Sequence, residues 1–293
     1  MTRTRALLTL AVFVAALSWA CITPPPPPTT TTTSTTVDTT TTVVPSSTTT
    51  EAPTTTQPTT TTTTVPAGDW PTEANTGPTI TDPPYLGTVH IGPGETRTIT
   101  QAVTDGIVVW PGANVTLDRI EAHGEIYVMN RHGDPTTRFR MTNSAARNGM
   151  RVNTVDASEN IDWAHQVYGD IVVSNSWLWY PQGSGTQHTE ALSSFGWPSG
   201  AVFNHVSFIQ QGPFNGTATA AINWHGVNTT FNGCYFGWQD GVAAWYTVYV
   251  AGSNNVVRNS TMEKGLGSWI YPDSTPPATY VGNTDAASGA PVG

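Results

Sequence analysis

The chain has 293 residues, 38% of them hydrophobic and only 11% charged, with a formal net charge of −9. From Thr81 onward sixteen Asp/Glu stand against nine Lys/Arg, and no basic patch or Arg-rich stripe appears, so no nucleic-acid partner is expected. Besides Cys21 there is only Cys234, so no intrachain disulfide framework is expected.

Residues 1–20 read as an export signal. Arg3 and Arg5 precede an apolar run, Ala6–Ala16, followed by Ser18, Trp19 and Ala20, which satisfy the small-x-small cleavage rule. Cleavage after Ala20 makes Cys21 the first mature residue, the position of the lipidated cysteine in bacterial lipoproteins; free secretion is the alternative. Residues 21–80 are Thr- and Pro-rich and offer almost nothing to bury, so the sequence predicts a disordered spacer. The combination describes a bacterial protein that is secreted or held at the cell surface, touching a membrane only through a lipid at Cys21.

Residues 81–293 form the folded domain. Gly106–Trp110, Asn114–Ile120, Glu125–Met129, Arg138–Asn143, Met150–Thr154 and Asp170–Asn175 are short, rich in Val, Ile, Thr, Trp and Tyr, and punctuated by Gly, Pro, Asn and Asp. The one helix candidate is Ala157–Val167. Further on, His188–Gly196, Ala220–Gly226, Tyr246–Gly252 and Ser268–Pro272 carry Leu192, Ile222, Val248 and Ile270 near their middles. Interleaved with these runs Asn143, Asn175, Asn204, Asn232 and Asn259, at intervals of 32, 29, 28 and 27 residues. Strict alternation of two strand types at this period predicts coils stacked along one axis, an all-β solenoid of about seven coils. In the stack the aliphatic series becomes an internal ladder. The asparagines fall at a turn that needs left-handed backbone, where their amides can bond along the rod. Cys234 is expected to be a buried small hydrophobe.

From about Asn114 to Gly267 the chain resembles the right-handed parallel β-helix, pectate-lyase-like superfamily, and within it exported actinobacterial β-helix proteins. The resemblance rests on His188-Thr189-Glu190-Ala191-Leu192-Ser193, Asn204-His205-Val206, Ala220-Ala221-Ile222 and Tyr246-Thr247-Val248-Tyr249. It departs from the family pattern at Glu190, Ala191 and Ser193, which stand for Asp, Gly and Gln. It implies a single-stranded right-handed parallel β-helix acting on or binding polysaccharide. The superfamily also holds non-enzymatic rods, so fold and activity are separate questions.

Continuing the stacking register, the position after the ladder holds Ser193, Asn223, Tyr249 and Tyr271, with Arg151 as an earlier member; these form the candidate substrate-binding column. His188, Glu190 and His225 are the candidate catalytic residues. Glu190 would be an acid–base carboxylate or metal ligand, His188 its partner, and His225 a group bonding substrate hydroxyls. A hydrogen-bonded His capping a turn is the structural alternative. The adjacent Asp pair and Arg-x-Lys motif of polygalacturonases are absent, and no carboxylate cluster matches a lyase calcium site, so calcium enters only through the resemblance. Eight aromatics (Trp177, Trp179, Tyr180, Trp197, Trp224, Trp238, Trp245 and Trp269) lie in the repeat region, some for the core and some for stacking on sugars. The expectations are therefore a monomer that is a lyase or glycoside hydrolase, or else a non-catalytic glycan-binding or structural surface rod.

Overall fold

The computed structural model describes residues 70–181, 190–211, 220–239, 245–272 and 276–293. Every regular element among them is a β-strand. One sheet holds β1 (Thr88–Ile91), β2 (Gly106–Val109), β3 (Ile126–Arg131), β4 (Met150–Val155), β5 (Leu192–Phe195), β6 (Ile222–Trp224), β7 (Tyr246–Val250) and β8 (Ser268–Ile270). They neighbour one another in that order, and every pair is parallel. Each crossover passes through strands of a second large sheet, so the chain winds as a β-solenoid with eight coils on this face. Its other two faces meet at a sharp bend inside the longest strands, Asp170–Tyr180 and Val202–Gln211. A short antiparallel pair, Asn283–Asp285 with Pro291–Val292, ends the described chain.

The register of the first face builds the core. Val89, Ile107, Ile126, Met150, Leu192, Ile222, Val248 and Ile270 stack in line, and all but Ile270 are buried. On the other two faces Phe203 lies flat on Phe231 at 4.9 Å, and Phe208 on Phe236 at 5.2 Å. Trp224 meets both Phe203 and Phe231 edge-on at 5.5 and 6.0 Å. Coils one β-spacing apart, about 4.8 Å, put identical rings at stacking distance, so a parallel solenoid selects like residues at like positions.

The bend between the second and third faces is a left-handed column. Gln101, Arg119, Asn143, Asn175, His205, Gly233, Asn259 and Gly282 all have φ between 48° and 65°. Asn143, Asn175 and Asn259 are where the sequence puts them. Asn204 and Asn232 are not: they pair with Ser174 and Arg258, one residue before the bend, and His205 and Gly233 occupy it. The amides do bond along the rod, Asn232 Nδ2 donating to Asn204 Oδ1 at 3.4 Å and Asn259 Nδ2 to Asn232 Oδ1 at 3.3 Å. Just inside the bend, each coil's backbone is held by the next coil's side chain. Ile120 N donates to Ser144 Oγ, Ser144 N to Ser176 Oγ, and Cys234 N to Ser260 Oγ, at 3.1, 3.3 and 3.0 Å. Cys234 is fully buried in this column, and burial raises its thiol pKa to about 12.

Two expectations are corrected. Residues 157–167 form no helix. Asp156 Oδ1 accepts the N–H groups of Ser158 and Asn160, at 2.8 and 3.0 Å, and this local bonding competes with a helical start. Gln166–Tyr168 then pairs in parallel with Trp197–Ser199. The ordered body also begins before residue 81. Trp70 meets His205 and Tyr235 at a tilt, ring centres 5.7 Å apart in each case, Glu73 pairs with Arg147 at 2.7 Å, and Gly77 N donates to Asn143 O at 2.8 Å. This strap runs along the left-handed column, and its Trp ring and Glu carboxylate give it enough to hold that a Thr/Pro composition alone does not predict.

Candidate functional site

The outward positions of the first face form one column. Tyr127, Arg151, Ser193, Asn223 and Tyr249 lie in direct register across β3 to β7. Tyr271 follows β8, and its N–H donates to Val248 O at 3.0 Å. All five candidate substrate-binding residues therefore fall on one face. Ser193 and Asn223 are only 6% and 3% exposed despite facing out, so neighbouring groups cover the middle of the column. Asn223 Oδ1 is buried with no hydrogen-bond partner among the described residues.

The column has two chemically different flanks. At the start of the strands lies a charged group: Arg151 Nη2 sits 3.1 Å from Glu125 Oε1, with the guanidinium 5.9 Å from the centre of the Tyr127 ring. Burial raises the pKa of Glu125, and the Arg151 charge only partly offsets this. Tyr180 stands beside them. Burial first, then the charges of Glu125 and Glu190, push its phenol up, while Arg151 pulls it down. Glu190 itself is 3% exposed and precedes the bend at Ala191. Gly149 (φ 69°) is needed here because a Cβ would lie 3.0 Å from the carbonyl oxygens of both Glu190 and Ala191.

From the end of β6 an aromatic run begins and crosses the later coils. His225 follows β6, and its N–H donates to Ser194 Oγ at 2.8 Å. Its ring lies over Phe195 at 6.2 Å and meets Trp163 and Tyr249 edge-on at 5.8 and 5.1 Å. Tyr249 continues edge-on to Tyr271 at 4.6 Å, and Tyr271 to Tyr246 at 4.9 Å. Trp163 remains 49% exposed.

This arrangement separates two residues that the sequence reading puts side by side. Leu192 pairs with Ile222, and Ala191 N donates to Ala221 O. Glu190 is therefore level with Ala220 and His225 with Phe195, five residues further along, or about 16 Å at 3.3 Å per residue. Glu190 instead lies close enough to Tyr180 for its charge to raise that phenol's pKa. His188 and Cys21 lie outside the described residues. Glu125 and Tyr127 are candidate site residues that the sequence reading did not name, and Tyr180 appears there only as one of the eight repeat-region aromatics. Extending the aliphatic ladder back to Met150 and Ile126 would have exposed the first two.

Among the described residues no group of three or more His, Cys, Asp or Glu side chains is placed to hold a metal ion. Three other histidines have local partners: His123 meets Glu121 at 3.0 Å, and His165 meets Asp162 at 2.8 Å while stacking on His132 at 4.1 Å. No family model matches the chain, and neither the curated proteins nor the solved structures contain a match.

Proposed function

We propose that the chain is an exported bacterial surface protein whose solenoid, a right-handed pectate-lyase-like β-helix, binds polysaccharide along its first face. The observation that carries this reading is the continuous run of rings from Trp163 and Phe195 through His225 and Tyr249 to Tyr271, beside the polar Arg151–Ser193–Asn223 column. Ring faces suit the C–H faces of sugars, amides and hydroxyls suit their hydroxyl groups, and coils about 4.8 Å apart let one sugar touch adjacent levels. Binding without cleavage is favoured, because Glu190, the carboxylate nearest in kind to a family catalytic acid, is almost wholly buried and remote from His225.

A second reading, cleavage by lyase or hydrolase chemistry, rests on the Arg151–Glu125–Tyr180 group, where a carboxyl with a raised pKa stands beside a cation and a phenol. One experiment separates the two. The purified protein is titrated with a panel of neutral and acidic polysaccharides, and each mixture is assayed for unsaturated products and new reducing ends. Saturable binding with no product, weakened about tenfold or more by Tyr249→Ala with Tyr271→Ala, is expected. Turnover lost in Glu125→Gln would establish the enzyme reading, and no binding to any polysaccharide would overturn both.

A further inference from the structure

A second cleft opens on the third face, near the last coils. It encloses about 500 Å³ among Tyr235, Glu263, Lys264, Trp269 and Asp285, with Ala286 in its wall. That volume lies within the range of small-molecule sites, about 300–1,000 Å³. The first-face column from Arg151 to Tyr249 contributes nothing to it.

Its polar groups are held in place before any ligand arrives. Glu263 accepts a hydrogen bond from the Tyr235 hydroxyl through Oε1 and one from Trp238 N, at 3.0 Å, through Oε2. Gly237 makes this pairing possible, since a Cβ there would lie 2.6 Å from the Tyr235 ring and 3.1 Å from the Glu263 carboxyl carbon. Asp285 Oδ1 accepts from Trp269 Nε1 at 3.0 Å, and its Oδ2 accepts from Ser288 N at 3.0 Å and from Ser288 Oγ at 2.5 Å. These bonds hold the Asp285 carboxyl below its ordinary pKa, so it is ionised at neutral pH. A carboxylate has about four acceptor positions, which leaves roughly two on Glu263 and one on Asp285 for a ligand. Lys264 completes the set, its ammonium 4.8 Å from the centre of the Trp269 ring.

We propose that this cleft is a second saccharide site, selective for neutral sugar rings. Fixed carboxylates accept sugar hydroxyls in charge-assisted hydrogen bonds, the ammonium donates to sugar oxygens, and Trp269 with Ala286 forms an apolar wall. Two carboxylates against one ammonium leave the cleft acidic, in a chain whose net charge is −9. A uronate is therefore repelled, whereas a neutral ring loses nothing. The site is independent of the first-face groove, and the two fail separately.

Lys264 is the only lysine in the chain, which supplies a direct readout. The full-length protein is treated with an amine acetylating reagent, and the rate at Lys264 is followed by peptide mass spectrometry with cellohexaose, chitohexaose or hexagalacturonate at millimolar concentration. At least one neutral hexasaccharide is expected to slow acetylation threefold or more, and hexagalacturonate to leave it unchanged. Protection should vanish in Asp285→Asn with the melting temperature held, and should persist in the Tyr249→Ala, Tyr271→Ala protein. If Asp285→Asn fails to fold, Glu263→Gln serves the same comparison. An acetylation rate indifferent to every neutral sugar, equal protection by hexagalacturonate, or protection lost only in the groove variant would overturn the proposal.

Discussion

Phe231 is the residue on which the five-ring cluster turns, and replacing it tests whether the solenoid is held by ring stacking between coils. It is fully buried, lies on Phe203 at 4.9 Å with 7° between planes, and meets Phe208, Trp224 and Phe236 edge-on at 6.0, 6.0 and 6.1 Å. Truncating a buried phenylalanine to alanine costs about 3–5 kcal/mol, and each lost aromatic pair contributes about 0.5–1.5 kcal/mol within that range. With four pairs lost, Phe231→Ala should fall near the upper end, about 4–5 kcal/mol. For a body of this size each kcal/mol lowers the melting temperature by about 2–4 °C, so the drop should be roughly 10–20 °C. Phe231→Leu keeps most of the volume and should lose less than half as much. Thermal melts followed by circular dichroism near the β minimum, with Phe195→Ala as the half-buried control, decide the matter. A loss in Phe231→Ala below about 3 °C, or one no larger than in Phe195→Ala, would show that these coils do not depend on the cluster.

Three further changes probe other parts of the architecture. Asn259 has φ 52° and donates to Asn232, so Asn259→Gly should be near neutral in urea melts while Asn259→Val costs about 1–2 kcal/mol from left-handed strain alone. Ile222 stacks between Leu192 and Val248 with no exposure, so Ile222→Asp buries an unpaired charge and should abolish the folded species in size-exclusion chromatography. The Cys234 thiol holds its proton to about 12 in the folded chain, whereas an unfolded thiol releases it near about 8.5. The unfolded state then binds fewer protons, so stability should fall by up to about 1.4 kcal/mol per pH unit as pH rises above about 8.5, and Cys234→Ala should remove that part of the slope. Native protein at pH 8 should correspondingly resist thiol alkylation.

Much of the fold is legible in the sequence because a solenoid repeats its demands. The aliphatic residue of each first-face strand faces the same interior at the same height, so Leu192, Ile222, Val248 and Ile270 stand out as a series. The asparagine series is legible only in part, for a physical reason. The bend demands a left-handed backbone rather than asparagine, and His205 and Gly233 satisfy it as well as Asn143 or Asn259 do. Asn204 and Asn232 sit one residue earlier and bond between coils, so a reading keyed to residue type slips by one position there. The absent helix at 157–167 and the strap at 70–77 escape for a related reason. Each is decided by particular side chains, Asp156 in one case and Trp70 and Glu73 in the other.

The site is harder to read than the fold because the solenoid lets its connections vary without disturbing its register. From the third face back to the first, Ala122 to Ile126 and Ala146 to Met150 each take three intervening residues, 123–125 and 147–149. From Tyr180 to Leu192 the sequence interval is eleven residues, 181–191, and from Gln211 to Ile222 it is ten, 212–221, and most of both lie outside the described residues. These longer intervals end at Leu192 and Ile222, beside Ser193 and Asn223, where the outward column is most buried. Rigid coils that carry variable connections at one corner are a common way to place recognition on a stable scaffold. Periodicity identifies the column because the column belongs to the coils. It does not pair Glu190 with Tyr180, because Glu190 lies before the bend at Ala191, outside the repeating strand positions.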